Sequence, residues 1–252
     1  MTEFPILHSV SEHDRGWIHS YETSAGQDGP GWRLVLFLSG CLLRCSYCHN
    51  PDTWDMYSGK ETTVDELWQE ISRYMPMLKR GGITFTGGEP LVQAPFLKAL
   101  LARAKHDHIH TAVDTAGFLG DRVDDEMMHD IDLVLLDIKH WNPAAYLSLT
   151  GKELEPTLRF ATRLAEHHRP VWLRYVLVPG ITDGAADIEG LAAFAASLGN
   201  VERVDVLPFH QLGRGKWAEL GLDYTLTDVK PPTAGLTQSV IDIFRSHKLN
   251  AC

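Results

Sequence analysis

Six apolar, β-rich runs alternate with helical patterns along this chain, and that alternation restricts it to α/β folds with a mostly parallel sheet and helices outside. The candidate strands are Leu34–Leu38, Ile83–Thr86, His110–Asp114, Leu133–Asp137, Val171–Val176 and Arg203–Pro208. Helical segments lie between them at Val64–Leu78, Pro95–Lys105, Asp124–His129, Leu154–His167 and Gly184–Leu198, and a last helix is expected at Ala234–Lys248. Six strands each leading to a helix predict a partial (β/α)6, TIM-like barrel. A doubly wound open sheet has the same spacing and remains the alternative, because spacing alone does not say whether a sheet curls. The 252 residues suit one domain of this kind. Its expected parts are an N-terminal extension through residue 32, a barrel core over 33–210 and a C-terminal segment over 211–252 that carries the terminal helix.

Polar residues sit at or just beyond the ends of these runs. They are a cysteine loop, Gly87-Gly88-Glu89, Asp114-Thr115, Asp137 with Lys139, Arg174 and His210. Parallel α/β proteins build their sites at the carboxyl ends of strands, so these groups are expected to share one edge. Asp137 and Lys139 are two positions apart on one strand and therefore point to the same face. Arg174 lies within an apolar strand, where a cation is costly unless an anion receives it.

The cysteine loop is the most specific of these features. Cys41, Cys45 and Cys48 are spaced four and three positions apart, so their thiolates can gather on one turn. Thiolates are ligands for soft iron. Three of them suit a four-iron cluster with one iron open to a small molecule, whereas a carrier's irons normally all have protein ligands. A structural zinc ion is the alternative, but it wants four ligands, usually as two separated pairs. The fourth would be His49, cramped beside Cys48, or Cys252, or another histidine. Cys252 reads instead as a free, exposed thiol at a frayed terminus. The adjacent glycines Gly87 and Gly88 let backbone approach a ligand closely, although an ordinary strand-to-helix turn would also use them. The histidines of Lys105–His110 and of Glu166–Arg169 read as solvated helix ends, and Trp54, Trp68 and Trp141 as packing.

Charge and cysteine usage exclude other classes. Lys+Arg number 23 against Asp+Glu 33, a net charge of −10, which disfavours a nucleic-acid partner. The longest apolar run, Leu34–Leu43, is interrupted by Ser39 and Gly40 and is too short to span a bilayer. Met1–Val10 has no basic region of the kind that opens a signal peptide. Three of the four cysteines fall within eight residues, which is not a disulfide framework. A reducing compartment, the cytoplasm, is expected.

Together, the cysteine spacing and the Gly-Gly-Glu turn resemble the radical S-adenosylmethionine (radical SAM) superfamily. Further segments resemble its glycyl-radical-enzyme activases, those of pyruvate formate-lyase in particular. These segments are Asp28-Gly29-Pro30-Gly31, Cys41–Thr53, Asp114-Thr115, Leu135–Lys139, Trp172–Gly180, Leu207–Trp217 and Val229-Lys230-Pro231-Pro232, so the likeness covers nearly the whole chain. Gln27, Trp32 and Ala116 depart from the usual pattern. No ferredoxin-like insert with extra cysteines follows the first three.

The resemblance implies a partial barrel of the radical SAM type, one 4Fe–4S cluster on Cys41, Cys45 and Cys48, and S-adenosylmethionine as cosubstrate. It implies a radical that takes hydrogen from a glycine Cα of a partner protein. Cosubstrate contacts would come from Tyr47, Cys48, His49, Gly88, Asp137, Ile138, Lys139 and His210. Asp114, Thr115 and Asp137 would form a monovalent-cation site. Asp28 and Arg174 would grip the partner, pyruvate formate-lyase, and a flavodoxin or ferredoxin-type protein would supply the electron. A radical SAM enzyme acting on a small molecule and a non-enzymatic zinc or iron module are the competing functions.

Overall fold

The computed structural model describes residues 15–252. The Met1–Val10 stretch, read above as no signal peptide, lies outside the described residues. In chain order the elements begin with β1 (Arg15–Ala25), β2 (Trp32–Leu38), β3 (Lys60–Thr63), α1 (Val64–Ile71), α2 (Met75–Leu78), β4 (Gly82–Gly87) and α3 (Ala94–His106). They continue with β5 (Thr111–Thr115), α4 (Asp125–Asp130), β6 (Leu133–Asp137), α5 (Pro143–Thr150), α6 (Glu155–Glu166), β7 (Val171–Leu177) and α7 (Ala185–Leu198). The last are β8 (Val201–Pro208), α8 (Arg214–Glu219) and α9 (Ala234–Ser246).

The six expected strands pair in parallel in the order β2-β4-β5-β6-β7-β8. Two further strands extend the β2 edge, β1 antiparallel to β2 and β3 antiparallel to β1. The sheet curls, because one cavity is lined by residues from or just beyond the carboxyl ends of all six parallel strands. That settles the choice between a partial barrel and a flat open sheet.

Period-two alternation sorts the side chains. Leu34, Leu36, Ile83, Phe85, Val134, Leu136, Leu173 and Tyr175 face outward and pack beneath the helices, and full burial of such a side chain stabilises by roughly 1.5–3 kcal/mol. Inside, toward the amino ends, Ala112, Leu133, Leu135 and Trp172 fill the lumen. Toward the carboxyl ends the inner face turns polar, at Asp114, Asp137 and Arg174.

Two elements are corrected in detail. Val64–Leu78 is not one helix. α1 begins with a capping box, in which Thr63 Oγ1 accepts from Glu66 N and Thr63 N donates to Glu66 Oε2. It then tightens into a 3-10 turn at Ser72–Tyr74, and Pro76 opens α2. The carboxyl terminus is not frayed: Val204 N donates to Asn250 O and Cys252 N to Val204 O, so the last residues line β8. Cys252 is exposed and forms no disulfide, as expected, while its Sγ donates to Asp205 Oδ1 (3.2 Å).

Arg33 is fully buried at the start of β2, with no carboxylate among the described residues in hydrogen-bond contact. It donates to Thr84 Oγ1 (2.6 Å), Ile83 O (2.6 Å) and Pro30 O (3.2 Å), while Thr84 Oγ1 donates to Asp28 O. Burial pulls its guanidinium down to about 10. These bonds pin the Asp28–Gly31 turn to the barrel. His110, read as part of a solvated helix end, is instead partly buried, and its Nδ1 is buried without a partner.

Candidate active site

The cysteine loop is held by its backbone, independently of its thiols. Gly40 N donates to Thr53 O (2.7 Å) and Cys41 N to Trp54 O (3.1 Å). Arg44 N and Ser46 N donate to Thr150 O (2.8 Å) and Leu149 O (3.1 Å), the free carbonyls ending α5. The Arg44 guanidinium closes the turn on Cys41 O and Leu43 O and stacks over Trp54. α5 was missed in the sequence, although its signature is complete: Asn142 caps it, Pro143 opens it, and Gly151 ends it at φ +71.

Gly87 and Gly88 pack directly against this loop. Gly87 has φ +124, and a Cβ at Gly88 would fall 2.3 Å from Gly40 O and 2.9 Å from Thr53 O. Both oxygens are already fixed by hydrogen bonds to Glu89 N and Gly40 N. Gly88→Ala is therefore expected to push the cysteine loop outward and to cost about 1–3 kcal/mol, the range for overpacking. Denaturant unfolding checks this, and wild-type stability with full iron loading would contradict it.

The cavity has a volume of about 350 Å³. Its lining brings together Cys41, Cys45, Cys48, Tyr47, His49, Gly88, Asp114, Thr115, Asp137, Lys139, Arg174, His210 and Asp28. Among the expected site residues Ile138 alone is outside it, 1% exposed and part of the hydrophobic core. None of the cysteines forms a disulfide. Burial pushes the Cys41 and Cys45 thiols up to about 12 and raises Cys48. Such thiols stay neutral until a metal cation offsets the cost of the charge, so the donor set fits a metal cluster. Among the described residues no three His, Cys, Asp or Glu side chains converge on a single ion.

The same cavity holds a chain of charges. Lys139 Nζ meets Asp137 Oδ2 at 2.8 Å and lies 5.9 Å from the centre of the Tyr47 ring. Burial opposes the ammonium, yet Asp137 and Tyr47 hold its pKa well above the ordinary lysine value. Arg174 pairs with Asp114 (2.9 Å) and more distantly with Asp28 (3.7 Å), the carboxylates its burial demanded. Thr86 Oγ1 also donates to Asp114 (2.9 Å). Burial raises the Asp114 carboxyl above its usual range even beside the guanidinium. Two buried polar atoms here have no partner, Asp114 Oδ1 and Tyr47 Oη. An orphaned buried group is costly, so both mark places where a bound molecule or ion would supply the missing contact.

Glu89 was quoted only as part of a motif, but it ties the site together. Its buried carboxylate accepts from Thr115 Oγ1 (2.7 Å), Ala116 N (3.0 Å) and Leu91 N (3.1 Å). It thereby joins the glycine turn to the end of β5. Burial raises it to about 7 against those three donors. α8 was also missed, being only six residues long. His210 stands edge-on to His49 with ring centres 4.8 Å apart. Burial lowers the His49 pKa, and His210 and Lys216 add to that. Trp68 and Trp141 pack as expected, against Arg103 and Phe194, whereas Trp54 lines the cavity and meets Trp217.

Comparison with known proteins agrees with this geometry. The Radical SAM superfamily matches residues 35–195. A pyruvate formate-lyase-activating enzyme of Staphylococcus epidermidis is 48% identical over 227 residues, 86% of this chain and 90% of that protein. Its Staphylococcus aureus counterpart is 47% identical over the same shares. The crystal structure of a domain of pyruvate-formate lyase-activating enzyme from Bacteroides vulgatus superposes with TM-score 0.57 at 29% identity, covering 68% of this chain and 97% of that one. A radical SAM methyltransferase from Sphaerobacter thermophilus shares the fold alone, with TM-score 0.64 at 19% identity over 87% of this chain and 65% of that one.

Proposed function

The chain belongs to the radical SAM superfamily, and on that premise we propose that it activates pyruvate formate-lyase by generating a glycyl radical on it. The observation that carries this reading is a loop of three thiols free of disulfides lining one cavity together with paired charges and two orphaned polar atoms. Near-identical chain coverage with the activating enzymes supports the choice of partner. The cofactors are a 4Fe–4S cluster and S-adenosylmethionine, whose reductive cleavage supplies a 5′-deoxyadenosyl radical that abstracts a glycine Cα hydrogen from the partner.

Cys41, Cys45 and Cys48 would each hold one iron as thiolate. The rest of the cavity lining would receive the sulfonium cosubstrate. Tyr47, whose Oη has no partner among the described residues, and His49 would contact the polar heterocycle. The backbone at Gly88, stripped of any Cβ, would meet an amino group. Asp137 and Lys139 would bracket a hydroxyl and a carboxylate, with His210 closing the side after β8. Asp114 Oδ1 offers a hard oxygen to a monovalent cation, with Asp137 near it and the Thr115 hydroxyl already engaged by Glu89. Ile138 would contribute through its backbone, since its side chain is in the core. The polypeptide's contribution is orientation and exclusion of water.

The partner's glycine segment would enter along Asp28 and Arg174, and a flavodoxin or ferredoxin-type protein in the cytoplasm would deliver the electron. Among the described residues no helix is long and apolar enough to cross a membrane. Anaerobic incubation with pyruvate formate-lyase, S-adenosylmethionine and a reductant is expected to produce a doublet radical signal on the partner. No signal with that partner would reject the assignment. Asp137→Ala is expected to weaken S-adenosylmethionine binding about 10-fold or more, the worth of one charge-assisted contact. The change also breaks the 2.8 Å pair with buried Lys139, so stability should fall as well, but unchanged affinity by titration calorimetry would count against the strand-end site.

A further inference from the structure

The segment after β8 folds back onto the residues that leave the third cysteine. Trp217 Nε1 donates to the Cys48 carbonyl at 2.8 Å, and that carbonyl has no other hydrogen-bond donor among the described residues. The Trp217 ring meets Trp54 edge-on at 5.2 Å and Tyr224 at 5.3 Å, and it is 6% exposed. One residue earlier, Lys216 Nζ donates to Asn50 Oδ1 (2.8 Å) and pairs with Asp52 Oδ2 (3.0 Å). Gly213 lies so close to His49 that a Cβ would fall 2.8 Å from the His49 carbonyl oxygen. His210, on the same segment, faces the His49 ring.

Apart from Tyr224, all of these contacts fall on residues 48–54. The amino-terminal part of the cysteine loop is held differently, by the end of α5 and by Arg44. On the Cys48 side the loop's own backbone supplies Cys48 N to Cys45 O, and Thr53 O and Trp54 O accept from Gly40 N and Cys41 N, so Trp217 and Lys216 add side-chain anchors between these two backbone ties.

Resting on the cluster reading above, we infer that Trp217 and Lys216 are positioning residues that clamp the backbone at Cys48 and tie it to the cavity wall carrying His210. The indole N–H fixes the Cys48 peptide plane, and with it the direction of the Cys48 Cβ and thiol. The Lys216 ammonium holds Asn50 and Asp52, so the chain after the thiol cannot swing away. The same short segment thus sets both the third cluster ligand and one side of the cosubstrate pocket.

Trp217→Phe tests this, because it keeps an aromatic ring against Trp54 and Tyr224 and removes the N–H. On anaerobic, cluster-loaded protein, a ferrous chelator is expected to strip iron about five- to tenfold faster than from wild type, the worth of one hydrogen bond. The electron paramagnetic resonance line shape of the dithionite-reduced cluster should change, with the thermal midpoint lowered by only a few degrees, the cost of one orphaned carbonyl in a chain of this length. Lys216→Met should move iron release in the same direction. Wild-type release rates and line shapes in both single variants would overturn the clamp. So would faster release with an unchanged line shape, since Trp217 would then be packing only. Wild-type protein that binds no iron would overturn the cluster reading, and the clamp with it.

Discussion

Cys45→Ser should abolish iron binding while leaving the fold in place. Cys45 is buried on the loop, but the bonds that shape the turn run from the backbone of its neighbours, Arg44 N and Ser46 N, to the end of α5. Its removal therefore subtracts a ligand and little else. Serine nearly matches the shape but offers a hard hydroxyl in place of a soft thiolate. Loss of a partner one shell further out typically costs 10–100-fold in metal affinity, so loss of a ligand from a set of only three should exceed that. The expected result is soluble protein with a wild-type circular dichroism spectrum, near-zero iron and no detectable activation of the partner. Loss of all soluble protein would show that the thiol, and not the backbone, organises the loop.

Arg174→Met should be the most destabilising single change inside the barrel. The guanidinium is mostly buried and neutralises Asp114 at 2.9 Å, with Asp28 beyond it. Its removal leaves a buried carboxylate unpaired, which typically costs about 3–5 kcal/mol. The penalty should depend on pH, and its sign follows from Asp114. That carboxyl already has a folded-state pKa above its ordinary value of 3.8, and loss of the cation raises it further. A group raised in this way favours the folded state below its unfolded pKa, and the benefit fades as pH climbs through the folded value. The variant should therefore approach wild-type stability in acid and fall furthest behind near neutrality. Adding Asp114→Asn should recover much of the loss, because a neutral pair no longer buries a lone charge. Equal destabilisation at every pH, or no rescue, would contradict the ion-pair account.

The six parallel strands were readable because both faces are covered, so each reads as a dense apolar run. β1 was not, because its second half, His19 to Ala25, is largely exposed and its composition is mixed. β3 is four polar residues long and acquires its state only by pairing with β1. α5 was legible in principle from Asn142, Pro143 and Gly151, and its importance lies in the two carbonyls it lends to the cysteine loop. In the site, the positions were readable from strand-end placement, which gathered all but Ile138 into one cavity. The partnerships were not. Glu89 joins Thr115 across 26 positions, and Trp217 reaches Cys48 across 169. No local pattern encodes such contacts, since they exist only once the sheet has curled. Arg174 is intermediate: its cost announced a carboxylate, and the fold identified Asp114.

The central claim is an iron–sulfur centre with three protein ligands and one corner reserved for a sulfonium. Its most direct test is electron paramagnetic resonance of anaerobically purified, dithionite-reduced protein, recorded with and without S-adenosylmethionine alongside iron and labile-sulfide analysis. The account predicts about four irons and four sulfides per chain, as a 4Fe–4S centre requires, and a signal that changes when the cosubstrate is added. A colourless protein holding zinc, or a cluster signal indifferent to S-adenosylmethionine, would contradict it.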